Sequence, residues 1–171
     1  KRAQTVGRHL AERYGKDRVS VLHSAFVATD RANKERELMD AIGKGGARPD
    51  FKIVVGTQVI EQSLDIDFDV MISDLAPVDL LIQRVGRLHR HEMTRRPDGL
   101  KRPALYVLGA EAPFEKGSAA IYGEYLLART LDALPDVLRL PTDISPLVQE
   151  VYGPLATEDE AAKKYIQVLA H

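Results

Sequence analysis

The sequence has no cysteine, no signal-peptide pattern and no long apolar run. The lack of cysteine excludes disulfide bonds and cysteine-ligated metal sites, and it is typical of a reducing compartment. No hydrophobic stretch approaches the ~20 residues that a membrane-spanning helix needs. The net charge of −1 does not predict nucleic-acid binding. Locally, residues 84–102 carry seven Lys or Arg against two acidic residues, which indicates either a basic patch or a solvated loop.

A phosphate-binding loop is also missing. The segment 43–46 contains glycine and lysine, but it lacks the spacing G-x-x-x-x-G-K-[ST] and it follows a predicted helix. No paired carboxylates at a strand end resemble a metal-binding motif. The chain alone therefore cannot bind and hydrolyse a nucleotide in the usual way, and it can only complete a site that another domain builds.

Two weaker patterns in the sequence resemble metal sites. The run Asp65, Asp67, Asp69 alternates with apolar residues, but Val70 stands at the sixth position, where a calcium loop needs glycine. The histidines at 89 and 91 either bind a divalent metal with a distant carboxylate or face solvent or a phosphate at a helix end. We predict no metal site in this chain.

Helix and strand patterns alternate along the 171 residues, a length suited to one domain. Helices are predicted over 1–14, 30–42, 77–90, 119–134, 142–152 and 157–170, and strands over 18–22, 51–56, 70–73 and 104–108. This alternation predicts an α/β fold with a parallel sheet and helices on both faces. Because the chain begins in a helix, we expect that a first strand precedes it in a longer protein.

The predicted helix 77–90 has one polar and one apolar face. At about 100° per residue, Gln83, Arg87 and Arg90 fall within about 40° of one another. Gly86 lies beside them and leaves room for a close approach to the backbone. The opposite face is apolar and comprises Val78, Leu81, Val85 and Leu88. Arginine is always ionised and has a planar donor fork, so the polar face suits phosphate oxygens.

Polar residues follow the predicted strands, at the edge where parallel sheets bind ligands. The Thr57 hydroxyl either donates to a phosphate or caps the next helix. Asp65 either accepts from a sugar hydroxyl or forms a turn. His23 ends the first strand, where a structural histidine is common.

These residues resemble the motifs of a known family. Gln83-x-x-Gly86-Arg87-x-x-Arg90 resembles motif VI of superfamily-two helicases, and residues 57–65 are similar to their motif V. Residues 21–24 with 30–31 resemble the motif IV region. More narrowly, EQSLD-x-DFD, DLAP-x-DLL-x-QR and GRLHRH resemble the helicase–nuclease of type I CRISPR interference systems. The detailed resemblance covers about residues 19–108, and a looser one extends to 152.

The resemblance implies the second RecA-like domain of an ATP-driven motor that moves 3′ to 5′ on single-stranded DNA. ATP and Mg²⁺ would be held mainly by a first RecA-like domain outside this chain. Arg87 and Arg90 would be the arginine fingers, and Gln83 a hydrogen-bonding sensor beside the γ-phosphate. Asp65 would contact the ribose, and Gly86 would line the nucleotide.

The resemblance also implies partners. Thr57, His23, Ser24 and Arg31 would contact the DNA backbone. The first RecA-like domain and a nuclease domain would belong to the same parent protein, which a CRISPR RNA-guided surveillance complex would recruit. We expect a prokaryotic, cytoplasmic protein with no membrane contact. Residues 1–153 would form the motor domain, and 154–171 a linker and the start of a following helical element.

Some residues depart from the family patterns. Ser63 and Gln62 replace the Gly and Arg that motif V of RNA helicases often has, and Ala25 stands where close relatives frequently have Arg. DNA cutting is not expected of this chain, because the nuclease residues are outside it. The alternatives are a generic superfamily-two DNA repair or RNA helicase domain, and a non-catalytic α/β interaction domain whose arginines dock on an acidic partner. Docking alone does not require the spacing of Gln83, Arg87 and Arg90, so the spacing favours the motor.

Overall fold

The computed structural model describes residues 2–23, 28–61, 65–92 and 96–154. The chain forms two compact units. Unit 1 comprises residues 1–69 and 87–103, and unit 2 comprises residues 70–86 and 104–171. None of the helices in these described ranges is long and apolar enough to cross a membrane.

Unit 1 contains a pair of parallel strands and two helices. The elements are α1 (Arg2–Tyr14), β1 (Val19–Leu22), α2 (Ala28–Ile42) and β2 (Ile53–Gly56). β1 and β2 pair in the register Val19 to Ile53 through Leu22 to Gly56. Their apolar side chains pack with α2 and the segment after β2 in a core of Leu22, Leu38, Ile42, Val59 and Ile66. The pairing brings the carboxyl ends of the two strands to the same edge.

Unit 2 repeats the strand arrangement with more helices. The elements are β3 (Val70–Asp74), α3 (Val78–Val85), β4 (Ala104–Leu108), α4 (Lys116–Tyr122), α5 (Glu124–Ala133) and α6 (Ile144–Tyr152). β3 and β4 are parallel, in the register Val70 to Ala104 through Asp74 to Leu108. α3 is amphipathic and buries Val78 and Leu81. Val78 packs with Leu147 and Val151 of α6, and Leu81 packs with Leu127 of α5.

The predicted α/β class with parallel strands is confirmed, and each of the four predicted strands forms. Within the described residues, each strand pairs with one partner, β1 with β2 and β3 with β4. The helix predicted over 157–170 lies outside the described residues. The prediction of a motor domain over 1–153 followed by a linker over 154–171 stays a prediction.

The predicted helix 77–90 is wrong in its second half, because α3 ends at Val85. Beyond it the chain runs beside Phe68, whose amide donates to the Arg87 carbonyl at 2.8 Å and whose carbonyl accepts from the His89 amide at 3.0 Å. His89 has a positive φ of 48°, which a helix does not tolerate. Arg87 and Arg90 are therefore not presented by a helical face.

Two smaller predictions are also wrong. The single helix predicted over 119–134 is divided between α4 and α5 at Gly123, whose φ of 80° is in the left-handed region that favours glycine. The apolar spacing of the helix predicted over 30–42 places Ala32, Leu38 and Ile42 in the core; Leu38 and Ile42 are buried, but Ala32 is exposed. In α1, Val6 is exposed and the buried residue is Gly7, which packs against the Val21 side chain.

Candidate functional site

The two predicted arginine fingers lie with Asp65 in unit 1. The Nε of Arg90 donates to Oδ1 of Asp65 at 2.6 Å, and each of these side chains is 42% exposed. The Nε2 of His91 lies 3.4 Å from the same carboxylate oxygen. The charge of Asp65 also acts on Arg87. The structure thus brings together three of the residues that the sequence assigns to the nucleotide.

The electrostatics of this group show an excess of positive charge. The hydrogen bond from Arg90, together with the charges of His91, Arg90 and Lys44, holds the pKa of Asp65 below its ordinary value of 3.8. Burial lowers the pKa of Arg87, and so does the positive charge of Arg90, against the opposing effect of Asp65. Arginine stays protonated in spite of such shifts. Two guanidinium groups and Lys44 therefore act around a single carboxylate.

This donor set fits an anion rich in oxygen. The positive charges of Arg87 and Arg90 repel one another, which adds to the effect of burial in lowering the pKa of Arg87. A phosphate group bound by both arginines would relieve that repulsion and accept hydrogen bonds from both planar forks. The residues present therefore fit the polyphosphate of ATP. The described residues contain no group of three or more His, Asp or Glu that could hold a metal ion.

Gln83 and Gly86 belong to unit 2, at the end of α3. Gln83 is exposed. The Gly86 amide donates to the Ile82 carbonyl at 2.9 Å, and its φ of −62° is open to any residue. An added Cβ would lie 3.4 Å from the Gln83 carbonyl oxygen, an ordinary contact. The backbone of α3 itself therefore does not require glycine at this position.

The carboxyl ends of β1 and β2 bring His23 and Thr57 to one edge, as the parallel arrangement predicts. The Thr57 amide donates to the Leu22 carbonyl at 3.2 Å, one residue beyond the strand pairing. Its Oγ1 is buried and makes no hydrogen bond with the part of the chain that the structure describes. The helix-cap interpretation of this hydroxyl is therefore not realised there. The Nε2 of His23 is 2.9 Å from the Nε2 of Gln4.

Arg31 lies in the first turns of α2. Its Nε donates to the Glu35 carboxylate at 2.7 Å, one turn further along the helix. Ser24, the remaining predicted DNA contact, lies outside the described residues. The two histidines of the metal hypothesis approach oxygen atoms: the Nε2 of His89 is 3.2 Å from the Asp69 carbonyl, and that of His91 is 3.4 Å from the Asp65 carbonyl, as it is from the Asp65 carboxylate.

Sequence reasoning missed four charged residues in unit 1 that pair with one another: Arg48, Asp67, Asp69 and Arg96. Asp67 is buried, and it lies in the acidic run that the sequence indicated only as a weak metal pattern. The only available signal was the alternation of aspartate with apolar residues, which is typical of a strand. Their partners lie 19 to 29 residues away along the chain, so the pairing itself had no local signature.

Known proteins match this chain in both sequence and fold. The family described as "CRISPR-associated nuclease/helicase Cas3, C-terminal" matches residues 1–93. The CRISPR-associated nuclease/helicase Cas3 of Streptococcus thermophilus is 53% identical over 172 residues, which covers 97% of this chain and 18% of the relative. The chain thus spans about a fifth of that relative's length.

Solved structures of related proteins are also similar to this chain in fold and in sequence. The crystal structure of T. fusca Cas3-AMPPNP is similar with a TM-score of 0.87 and 36% identity, over 99% of this chain and 21% of that chain. A chain of a CRISPR RNA-guided surveillance complex, in a pre-nicking state, is similar with a TM-score of 0.83 and 36% identity, over 98% of this chain and 22% of that chain. With its sequence and its fold in agreement, the chain belongs to the C-terminal family of the CRISPR-associated nuclease/helicase Cas3.

Proposed function

We propose that this chain is the second motor half of an ATP-dependent single-stranded-DNA translocase that acts in type I CRISPR interference, a form of antiviral defence. ATP and Mg²⁺ are held mainly by a first RecA-like domain of the same parent protein. Membership in the Cas3 family supports this proposal, as does the nucleotide analogue named in the T. fusca structure. The bacterial relative leads us to expect a prokaryotic, cytoplasmic protein.

The observation that carries the proposal is the cluster of Arg87, Arg90 and Asp65, in which positive charge is in excess. Negative charge spreads over the phosphoryl oxygens during hydrolysis, and cations already in place lower the barrier. Arg87 and Arg90 supply these cations as arginine fingers. Gln83 acts as a hydrogen-bonding sensor, and Gly86 leaves its backbone open to the nucleotide.

The pairing of Arg90 with Asp65 is compatible with both of their proposed roles. An ion pair between side chains as exposed as these is weak in water. Arg90 can therefore exchange the carboxylate for a phosphate oxygen when ATP binds. The same exchange releases Asp65 to accept from a ribose hydroxyl. Nucleotide binding in this proposal thus replaces an internal ion pair by two contacts with ATP.

Single-stranded DNA is the proposed track, with movement from 3′ to 5′. His23 and Thr57 lie at the edge where β1 and β2 end, and we assign them to the DNA backbone together with Ser24 and Arg31. Contacts to phosphate and sugar carry no sequence information, which suits a motor. The nuclease domain of the parent and the surveillance complex are the proposed partners, and the cutting of DNA belongs to that other domain.

The proposal is tested by DNA-stimulated ATP turnover in the full-length parent protein. Arg87→Ala and Arg90→Ala should each reduce turnover by about 10³- to 10⁵-fold, the effect known for arginine fingers. Arg102→Ala is the matched control, because Arg102 is an exposed arginine of the same unit, and it should leave turnover unchanged.

The same measurement separates the alternatives. A non-catalytic docking domain predicts full turnover in both finger variants, and that result would overturn the proposal. The purified 171-residue chain should not hydrolyse ATP, because it lacks a phosphate-binding loop. Robust hydrolysis by this chain alone would contradict the idea that it completes a site built elsewhere.

A further inference from the structure

Two arginines and two aspartates of unit 1 form an ion-pair network that the proposed function does not use. Arg96 places its two terminal nitrogens on Asp67 Oδ2 at 2.7 Å and on Asp69 Oδ1 at 2.5 Å. Arg48 approaches the same two oxygens, at 3.5 Å from Asp67 and 2.5 Å from Asp69. Each guanidinium thus spans both carboxylates. We call Arg48, Asp67, Asp69 and Arg96 the carboxylate network.

The carboxylate network is balanced in charge, with Asp67 and Arg96 buried and Arg48 and Asp69 partly exposed. The side chain of Asp67 is 1% exposed and that of Arg96 is 8% exposed. A buried charge is tolerated only when it is paired and hydrogen-bonded, so two positive and two negative groups hold one another in place. Water can replace a lost partner at the exposed Asp65–Arg90 pair, whereas Asp67 and Arg96 have little access to solvent.

The guanidinium groups of Arg48 and Arg96 both approach Oδ2 of Asp67, and the other carboxylate oxygen has a different partner. Asp67 Oδ1 accepts from the backbone amide of Arg90 at 3.1 Å. The buried carboxylate is therefore shared between the carboxylate network and the backbone of a proposed finger. Arg96 adds a second link, since it donates to the His91 carbonyl at 3.4 Å. The residues 87–91, here called the finger segment, are thus attached to the network at the amide of Arg90 and at the carbonyl of His91.

The backbone of the finger segment also carries strain. His89 has a φ of 48°, and its ring nitrogen lies 3.2 Å from the Asp69 carbonyl. Arg48 of the network has the same φ of 48°. Non-glycine residues in the left-handed region persist only where their surroundings hold them, and they cluster where position matters. Both strained residues contact the 67–69 segment.

We propose that the carboxylate network is a positioning device that sets the place of Arg90 for ATP hydrolysis, an inference that rests on the proposed function of Arg90. Asp67 acts through the Arg90 amide and does not touch the nucleotide. Misplacement of a reacting group by about 1 Å can cost about 100-fold in rate. Loss of the Asp67 charge should therefore reduce kcat and leave the KM for ATP nearly unchanged.

The test uses the full-length parent protein with Asp67→Asn, Arg90→Ala and the double variant. Asp67→Asn should reduce kcat for ATP by about 10- to 100-fold, with KM within about twofold. In the Arg90→Ala background the same substitution should reduce kcat no further, because its effect passes through Arg90. Asp98→Asn is the matched control: Asp98 forms an exposed pair with Lys101, and its loss should change neither constant.

A purely structural role gives a different result, because the losses of the two single variants would then multiply in the double variant. If Asp67→Asn does not fold, Arg48→Lys supplies the same test. Lysine keeps the charge but cannot span both carboxylates, so kcat should fall by about 3- to 10-fold, again without further loss in the Arg90→Ala background.

The outcomes separate this inference from the proposed function. Full turnover by Arg90→Ala would overturn the finger assignment and the positioning role with it. An unchanged kcat in Asp67→Asn, beside an inactive Arg90→Ala, would overturn the positioning role alone.

Discussion

Asp65 and Asp67 lie two residues apart, each paired with an arginine, yet their surroundings are opposite. Asp65 and Arg90 are both about half exposed, and one hydrogen bond joins their side chains. Asp67 is buried and accepts from Arg96 and from the Arg90 amide. The first pair can be exchanged for other ligands in water, whereas the second would leave an unpaired buried charge if it opened.

One short segment thus combines an exposed side-chain contact that can be exchanged with a buried backbone contact that is fixed. The side chain of Arg90 is held by the exposed carboxylate of Asp65, while its backbone amide is held by the buried carboxylate of Asp67. A finger needs both properties, because it must release its internal partner and still meet the phosphate at a defined position.

Removal of each carboxylate should give the largest contrast. Asp67→Ala leaves Arg48 and the buried Arg96 to share the single carboxylate of Asp69, an excess of one positive charge, and should destabilise unit 1 by about 3–5 kcal/mol. Hydrogen exchange of the amides in 65–69 and 87–91, measured in the full-length parent, should accelerate by about 100-fold or more. Asp65→Ala should leave these exchange rates nearly unchanged. If hydrogen exchange accelerated equally in Asp67→Ala and Asp65→Ala, the buried and the exposed ion pair would not differ in their contribution to stability.

Thr57, at the proposed DNA-binding edge, has a buried hydroxyl that makes no hydrogen bond within the described residues. Thr57→Val keeps the shape and removes that hydroxyl. If the hydroxyl donates to a DNA phosphate, the affinity for single-stranded DNA should fall by about 5- to 10-fold with no loss of stability. An anisotropy titration of the full-length parent measures this change.

Thr130→Val is the matched control for this prediction. Thr130 has a buried hydroxyl in the same unsatisfied state, but it lies in α5 of unit 2. Its substitution should leave the DNA affinity unchanged. Equal loss of affinity in both variants, or in neither, would withdraw Thr57 from the proposed DNA contacts.

The smallest expected effect is the pH dependence of the exposed pair. Since the hydrogen bond from Arg90 lowers the pKa of Asp65, the pair stabilises the folded protein above the ordinary value of 3.8, and this contribution fades as the pH falls below it. The unfolding temperature of the unsubstituted full-length protein is compared with that of its Asp65→Asn variant. The difference should be small and constant from pH 6 to about pH 5, and should vanish under more acidic conditions. A difference that grows on acidification would contradict the sign of the shift.

Most of the secondary structure could be predicted from the sequence, because strong local signals define it. β2 follows from a β-branched run between turn residues, and α1 ends at Tyr14, just before Gly15, whose φ is 99°. The split between α4 and α5 also had a local signal in Gly123, but the apolar spacing on either side favoured a continuous helix.

The end of α3 could not be predicted in the same way. Val85 and Leu88 continue the helical spacing of Val78 and Leu81, yet Leu88 forms a parallel bridge with Phe68, twenty residues earlier. A contact so distant along the chain has no local signature. The same reason hid the carboxylate network, whereas Arg87, Arg90 and Asp65 could be found because they resemble motifs of a known family.

If Arg90 acts on ATP that another domain holds, its loss should impair hydrolysis far more than binding. Both quantities can be measured on one preparation of the full-length Arg90→Ala protein with single-stranded DNA, as ATP affinity and as single-turnover hydrolysis. We expect hydrolysis to fall by about 10³-fold or more, while the dissociation constant for ATP changes by less than about tenfold. Hydrolysis at the unmodified rate, with ATP still bound, would contradict this expectation.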